Sequence, residues 1–178
     1  CADHPFYSYD DWFIGSTVCA RGVPEEIRSL TIQYRYNDIG SLRELFDKFP
    51  GDIAAVILEP TVSVPPKEGC QKCPYLRKCE CTKTFLEEVK HCCEENQALF
   101  VLDEMITGFR WDFRGAQEYF GISADLVTFG KGMANGFSVA ALTGRREVME
   151  LGGLKNEGQE RVFLVSTTHG AEMSGLGA

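Results

Sequence analysis

Two short stretches hold residues whose types could do covalent chemistry. Lys131 lies in Phe129-Gly130-Lys131-Gly132, and Asp103 lies 28 residues earlier, in Val101-Leu102-Asp103-Glu104-Met105-Ile106-Thr107-Gly108-Phe109-Arg110. A primary amine adds to an aldehyde to form an imine, and a carboxylate can keep a nearby ring nitrogen protonated. Each half alone has an ordinary explanation. An Asp at the end of a strand is usually a solvated turn or a helix cap. A Lys beside glycines is usually a surface loop residue.

Together the two groups meet the demands of pyridoxal 5'-phosphate (PLP) chemistry. The amine would bind the aldehyde, and the acid would let the pyridine ring accept electrons. The lysine must also act as a neutral amine when it moves protons, and burial among Phe129, Met133 and Phe137 would favour that form. Glycines on both sides of Lys131 would let the backbone approach a flat ring.

The elements that must position these residues are visible in the apolar pattern. Ile53 to Leu58 and Ala98 to Leu102 are uninterrupted apolar runs, as expected of strands buried on both faces. Leu126 to Phe129, Val139 to Leu142 and Val162 to Val165 are weaker candidates of the same kind. Ser41-Leu42-Arg43-Glu44 and Thr84-Phe85-Leu86-Glu87 have the form of capping boxes that open helices. The second helix carries Phe85, Leu86, Val89 and Cys92 or Cys93 on one side, with Glu87, Glu88, Lys90 and Glu94 largely on the other. Strand, helix, strand between 53 and 102 is a crossover unit, which predicts an α/β fold with a mostly parallel sheet flanked by helices. Ligands of such sheets sit beyond the carboxyl ends of the strands. Glu59, Asp103-Glu104 and Gly130-Lys131 follow three of the candidate strands directly.

The bulk composition excludes several classes. The formal net charge is −8 and the basic residues are scattered, so nucleic acid is not an expected partner. No run reaches the ~20 apolar residues of a membrane helix, and no membrane partner is expected. The first residues, Cys1-Ala2-Asp3-His4-Pro5, do not form a signal peptide, so the thiols are read as reduced and the protein as cytoplasmic. Neither end reads as a natural boundary, and the sequence is read as an internal fragment. Gly130-Lys131 is not a P-loop, because Asp125 stands where the first glycine is needed and Gly132 replaces Ser or Thr. Gly130-x-Gly132-x-x-Asn135 fails the dinucleotide fingerprint at its last position.

From Asp52 to Ala171 the chain resembles the class III aminotransferases, within the fold-type I PLP enzymes, on the branch of the glutamate-1-semialdehyde 2,1-aminomutases. The resemblance is carried by Val56-Ile57-Leu58-Glu59-Pro60, Leu102 to Arg110, Gly115-Ala116-Gln117-Glu118-Tyr119-Phe120-Gly121-Ile122, Asp125-Leu126 and Phe129 to Gly132. It implies that residues 1–178 are a partial PLP-binding large domain with its N- and C-terminal parts missing, carrying a Cys-rich insertion at about 61–83. It implies Lys131 as the Schiff-base lysine and Asp103 as the partner of the pyridine nitrogen, both catalytic. Met105 would pack against one ring face, and Thr167 (or its neighbour Thr168) would bind the cofactor phosphate of a neighbouring subunit. Phe6, with Tyr7 as the alternative, would stack on the ring. The implied partners are a small-molecule amino donor and acceptor, and a second copy of the chain in a homodimer with a shared active site.

The residues 152–161 are charged where the aminomutase branch has a small-residue loop. The later run, Thr167-Thr168-His169-Gly170-Ala171-Glu172, also departs from that branch. These departures favour an aminotransferase over the aminomutase itself. In the insertion, Cys70, Cys73, Cys79 and Cys81 lie within twelve residues and could hold a tetrahedral zinc, with an iron–sulfur cluster or free thiols as the alternatives. A metal-stabilised, non-catalytic scaffold of the same fold is the reading from another class, against which the retention of Asp103 and Lys131 speaks.

Overall fold

The computed structural model describes residues 15–61, 63–68, 83–152 and 172–177. The chain divides into two units, Cys1–Phe100 and Val101–Ala178.

In the first unit, a short helix α1 (Glu25–Arg28) precedes α2 (Ile39–Lys48), β1 (Ala55–Leu58) and α3 (Phe85–Glu95). Helix α3 begins where the sequence predicts. The Thr84 side chain accepts a hydrogen bond from the Glu87 backbone N–H, and Glu87 reaches back to the Thr84 N–H at 2.6 Å, closing a capping box. Helix α2 begins earlier than the Ser41 box predicts. Asp38 is its cap, accepting from the Ser41 N–H, while the Ser41 hydroxyl donates to the Asp38 carbonyl at 2.7 Å. An Asp three residues before Ser41 satisfies the first turn, so Ser41 is drawn inside the helix.

These helices bury Leu42 and Phe46 of α2 together with Phe85, Leu86, Val89, Cys92 and Cys93 of α3, alongside Val56 and Leu58 of β1. Burying side chains of this size contributes about 1.5–3 kcal/mol each. Glu88 departs from the expected pattern, since it is buried rather than on the polar face. It lies three residues after Phe85 and four before Cys92, which puts it on the same helix face as both.

Residues on either side of the stretch from Cys70 to Cys81 are fastened within this unit. The Phe85 N–H donates to the Lys67 carbonyl at 2.9 Å. Asn37, in a left-handed conformation at φ 63°, donates through its amide to Pro65 and accepts from the Lys67 N–H at 2.8 Å. Cys70, Cys73, Cys79 and Cys81 themselves lie outside the described residues.

The strand β2 (Leu99–Glu104) runs from the first unit into the second, which continues with α4 (Ala116–Phe120), β3 (Leu126–Phe129), β4 (Ala141–Gly144), α5 (Arg146–Met149) and α6 (Met173–Gly177). The strand order is β1-β2-β3-β4. β2 and β3 are parallel, with Asp103 opposite Thr128 and Glu104 opposite Phe129. β3 and β4 are antiparallel, with Phe129 opposite Ala141. The sheet is therefore mixed. The connection from β3 to β4 holds one short 3-10 turn instead of a crossover helix, so the chain doubles back and pairs in the opposite sense. The candidate strand at 162–165 lies outside the described residues. Among the described residues, no helix is long and apolar enough to cross a membrane.

Candidate active site

Where β2 and β3 end side by side, two adjacent acids do different work. Successive side chains on a strand point to opposite faces, so Asp103 and Glu104 look in opposite directions. Glu104 is completely buried. Its carboxyl group accepts hydrogen bonds from the backbone N–H of Ala116 at 2.6 Å and of Gln117 at 3.2 Å, and from the Thr107 hydroxyl at 3.4 Å. This ties the end of β2 to the start of α4 and closes the intervening loop. The approach is possible only because residue 115 is glycine at φ 90°, since a Cβ there would lie 2.8 Å from the Glu104 Oε1.

Asp103 is only partly buried. Its Oδ1 accepts from the Met105 N–H at 3.0 Å and from the Thr128 hydroxyl at 3.1 Å. Both hydrogen bonds fall on one oxygen, which restrains the rotation of the carboxylate through Oδ1. Met105, two residues on, lays its thioether against Gly130, where a Cβ would lie 2.8 Å from the sulfur and overlap the terminal methyl. Gly130 is thus a glycine for reasons of space, its own φ of −173° being ordinary extended backbone.

Lys131 follows Gly130 directly and opens the 3-10 turn Lys131–Met133. It has φ 43°, in the left-handed region that a side chain bearing a Cβ rarely adopts. The turn is held by the Met133 N–H donating to the Gly130 carbonyl at 3.0 Å, and by the Ala134 and Asn135 N–H groups donating to the Lys131 carbonyl at 3.2 and 3.1 Å. Backbone strain of this kind costs of order 1–3 kcal/mol and concentrates at functional sites.

The structure therefore brings three of the expected residues into one cluster at the carboxyl ends of β2 and β3. Asp103 pairs with Thr128, Lys131 stands three residues beyond Thr128, and Met105 covers the glycine between them. The expected burial of the lysine is not found. Lys131 is exposed, Phe137 is 48% exposed, and Met133 and Phe129 are half-buried, because the segment after Gly130 is a surface turn and not an interior strand. Phe129 instead packs on Phe109, with ring centroids 5.5 Å apart. Phe6, Tyr7, Thr167 and Thr168 lie outside the described residues. Among the described residues, no group of three or more His, Cys, Asp or Glu could hold a metal ion.

Thr128 and Glu104 were not marked as site residues by the sequence. A threonine inside Leu-Val-Thr-Phe looks like a strand former. Its hydroxyl gains meaning only from the register that sets it opposite Asp103.

The arrangement offers a carboxylate restrained through one oxygen, an amine on a strained turn three residues beyond Thr128, and a thioether packed against Gly130. Comparison with known proteins identifies the family of the chain. The family model described as Aminotransferase class-III matches residues 24–174. A glutamate-1-semialdehyde 2,1-aminomutase of Acetivibrio thermocellus is 42% identical over 147 residues, covering 77% of this chain and 31% of the relative. The FumI protein of Sphingopyxis sp. MTA144, solved in its PLP internal aldimine form, is 30% identical with a TM-score of 0.58, over 72% of this chain and 29% of that one. A transaminase solved with PLP bound shares the fold at a TM-score of 0.68 and 23% identity, over 88% of this chain and 34% of that one. The chain spans about a third of the length of the curated relatives it matches. It belongs to the class III aminotransferase family.

Proposed function

We propose that this chain is the cofactor-holding part of a PLP-dependent enzyme that transfers amino groups. The observation that carries the reading is the parallel register that seats Asp103 beside Thr128 while Lys131 opens the turn just beyond. The residues fit PLP on the features described: a carboxylate held through one oxygen, a thioether lying against a Cβ-free backbone, and an amine on a strained turn. When bound, PLP supplies an electron sink that stabilises negative charge on a substrate carbon. Asp103 would hold the proton on the ring nitrogen. Lys131 would carry the cofactor covalently and, when displaced, would move a proton between the substrate carbon and the cofactor carbon, a role typically contributing ~10²–10⁴-fold. Met105 would close one face of the ring against water.

Residues 1–178 would then be a partial large domain, with the insertion at about 61–83 as an addition to it. A homodimer with a shared active site, to which Phe6 and Thr167 contribute, belongs to the same proposal and rests on the family resemblance, whereas a cytoplasmic setting rests on reading the thiols as reduced. Zinc at Cys70, Cys73, Cys79 and Cys81 is a separate proposal that rests on the spacing of these four thiols alone, and metal analysis of the purified protein would detect it. Lys131→Ala should abolish both amino transfer and the visible absorbance of bound cofactor. Asp103→Asn should retain cofactor weakly and react far more slowly. Normal turnover in either variant would refute the assignment.

A second reading, the aminomutase itself, is favoured by the name and the 42% identity of the Acetivibrio thermocellus relative. The two separate by stoichiometry. A transaminase converts an external amino donor into its keto product with each turnover, whereas a mutase relocates the amino group within one substrate.

A further inference from the structure

Asp103 does not set its own orientation. The terminal torsion of an aspartate is broad, so a carboxylate at a strand end rotates unless something holds it. Here two donors converge on a single oxygen, the Met105 N–H at 3.0 Å and the Thr128 hydroxyl at 3.1 Å. The first belongs to the loop that follows Asp103 by two residues, and any residue but proline would supply it. The second comes from the neighbouring strand, at the one position the parallel register sets opposite Asp103. A hydroxyl there fixes the acid relative to β3, the strand that leads into Gly130 and Lys131.

We propose that Thr128 is a positioning residue, which pins the Asp103 carboxylate through Oδ1 so that Oδ2 meets the ring nitrogen of the bound cofactor at a fixed place relative to Lys131. The proposal rests on the reading of Asp103 given above. The competing account is that Thr128 is merely a β-branched residue suited to a strand. The isosteric Thr128→Val variant separates the two, because it keeps the branching and the volume and removes only the donor.

The test uses the full-length protein in four forms: parent, Thr128→Val, Thr128→Ser and Asp103→Asn, with Thr128→Ala held in reserve should the valine variant not fold. Each is titrated with PLP while its visible band is recorded, and each is melted free of cofactor. One hydrogen bond to a charged group corresponds to roughly a tenfold change in affinity. Thr128→Val should therefore bind PLP roughly tenfold more weakly and shift the band, Thr128→Ser should restore both, and cofactor-free stability, read from the melting midpoint, should fall by less than the loss of affinity. If Asp103→Asn weakens binding while Thr128→Val matches the parent, the positioning role falls and the reading of Asp103 stands. If Asp103→Asn also matches the parent, that reading fails and the inference with it. A loss of affinity in Thr128→Val that tracks an equal loss of cofactor-free stability would reduce Thr128 to a strand former and overturn the proposal.

Discussion

Replacing Glu104 by glutamine changes one oxygen into an NH2 group, and the geometry around it makes that a severe change. The carboxyl group is fully buried and surrounded by donors only: Ala116 N–H and the Thr107 hydroxyl on Oε2, and Gln117 N–H on Oε1. In its better orientation the amide keeps its oxygen toward Ala116 and Thr107 and turns its NH2 toward the Gln117 N–H. Two donors then face each other, and a backbone N–H is stranded away from water. An orphaned buried donor costs about 1–3 kcal/mol, and the neutral oxygen also weakens the bond to Ala116, for a total of about 2–3 kcal/mol. With a slope of 1–3 kcal/mol per molar urea, the unfolding midpoint of Glu104→Gln should fall by about 1 M at unchanged slope. A loss below about 0.5 kcal/mol would mean that Glu104 does not hold the loop to α4 as described.

Two further outcomes follow from the geometry. Gly130→Ala places a Cβ against the far end of Met105, which is flexible and can swing aside, so stability should fall by only about 1 kcal/mol. PLP affinity should fall more than stability, and a titration with parallel melting checks this; a large stability loss at full affinity would contradict it. The Tyr36 phenol donates to the Pro60 carbonyl at 2.8 Å, and burial, followed by the charge of Glu59, raises its pKa above the ordinary value. The folded state thus favours the neutral phenol, so its stability is intact below about pH 10, where a free tyrosine titrates, and declines above it. Tyr36→Phe should cost about 1 kcal/mol near neutrality and flatten the alkaline decline, as urea midpoints at pH 8 and about pH 11 would show.

The features legible in the sequence were those encoded locally or by family resemblance. Helix α3 announced itself because Thr84 and Glu87 cap it reciprocally and its apolar stripe begins at once. β3 was read at its true bounds, since Asp125 and Gly130 bracket four strand-forming residues. Misreadings arose where two local signals competed or where a pattern was read too coarsely. Asp38 and Ser41 both qualify as caps, and only the hydrogen bond from Ser41 to Asp38 decides between them. Glu88 looked like surface because it is charged, although its spacing from Phe85 and Cys92 already placed it inside.

Asp103, Met105 and Lys131 are proposed from motif order; the structure sets Asp103 opposite Thr128 and Met105 against the glycine that precedes Lys131. The exposure of Lys131 was not readable, because neighbouring Phe129, Met133 and Phe137 look like a buried set until the turn after Gly130 directs them apart. Thr128 and Glu104 were hidden for a related reason. Each acts across strands or across a loop, through a register and a closure that one-dimensional spacing does not display.

The central claim is that one amine, Lys131, carries the cofactor. Reduction of the PLP-loaded protein with borohydride, followed by digestion and mass spectrometry, locates that attachment. The account predicts a pyridoxyl group on the peptide containing Lys131 and none in Lys131→Ala. A label on any other lysine, with Lys131 unmodified, would contradict it.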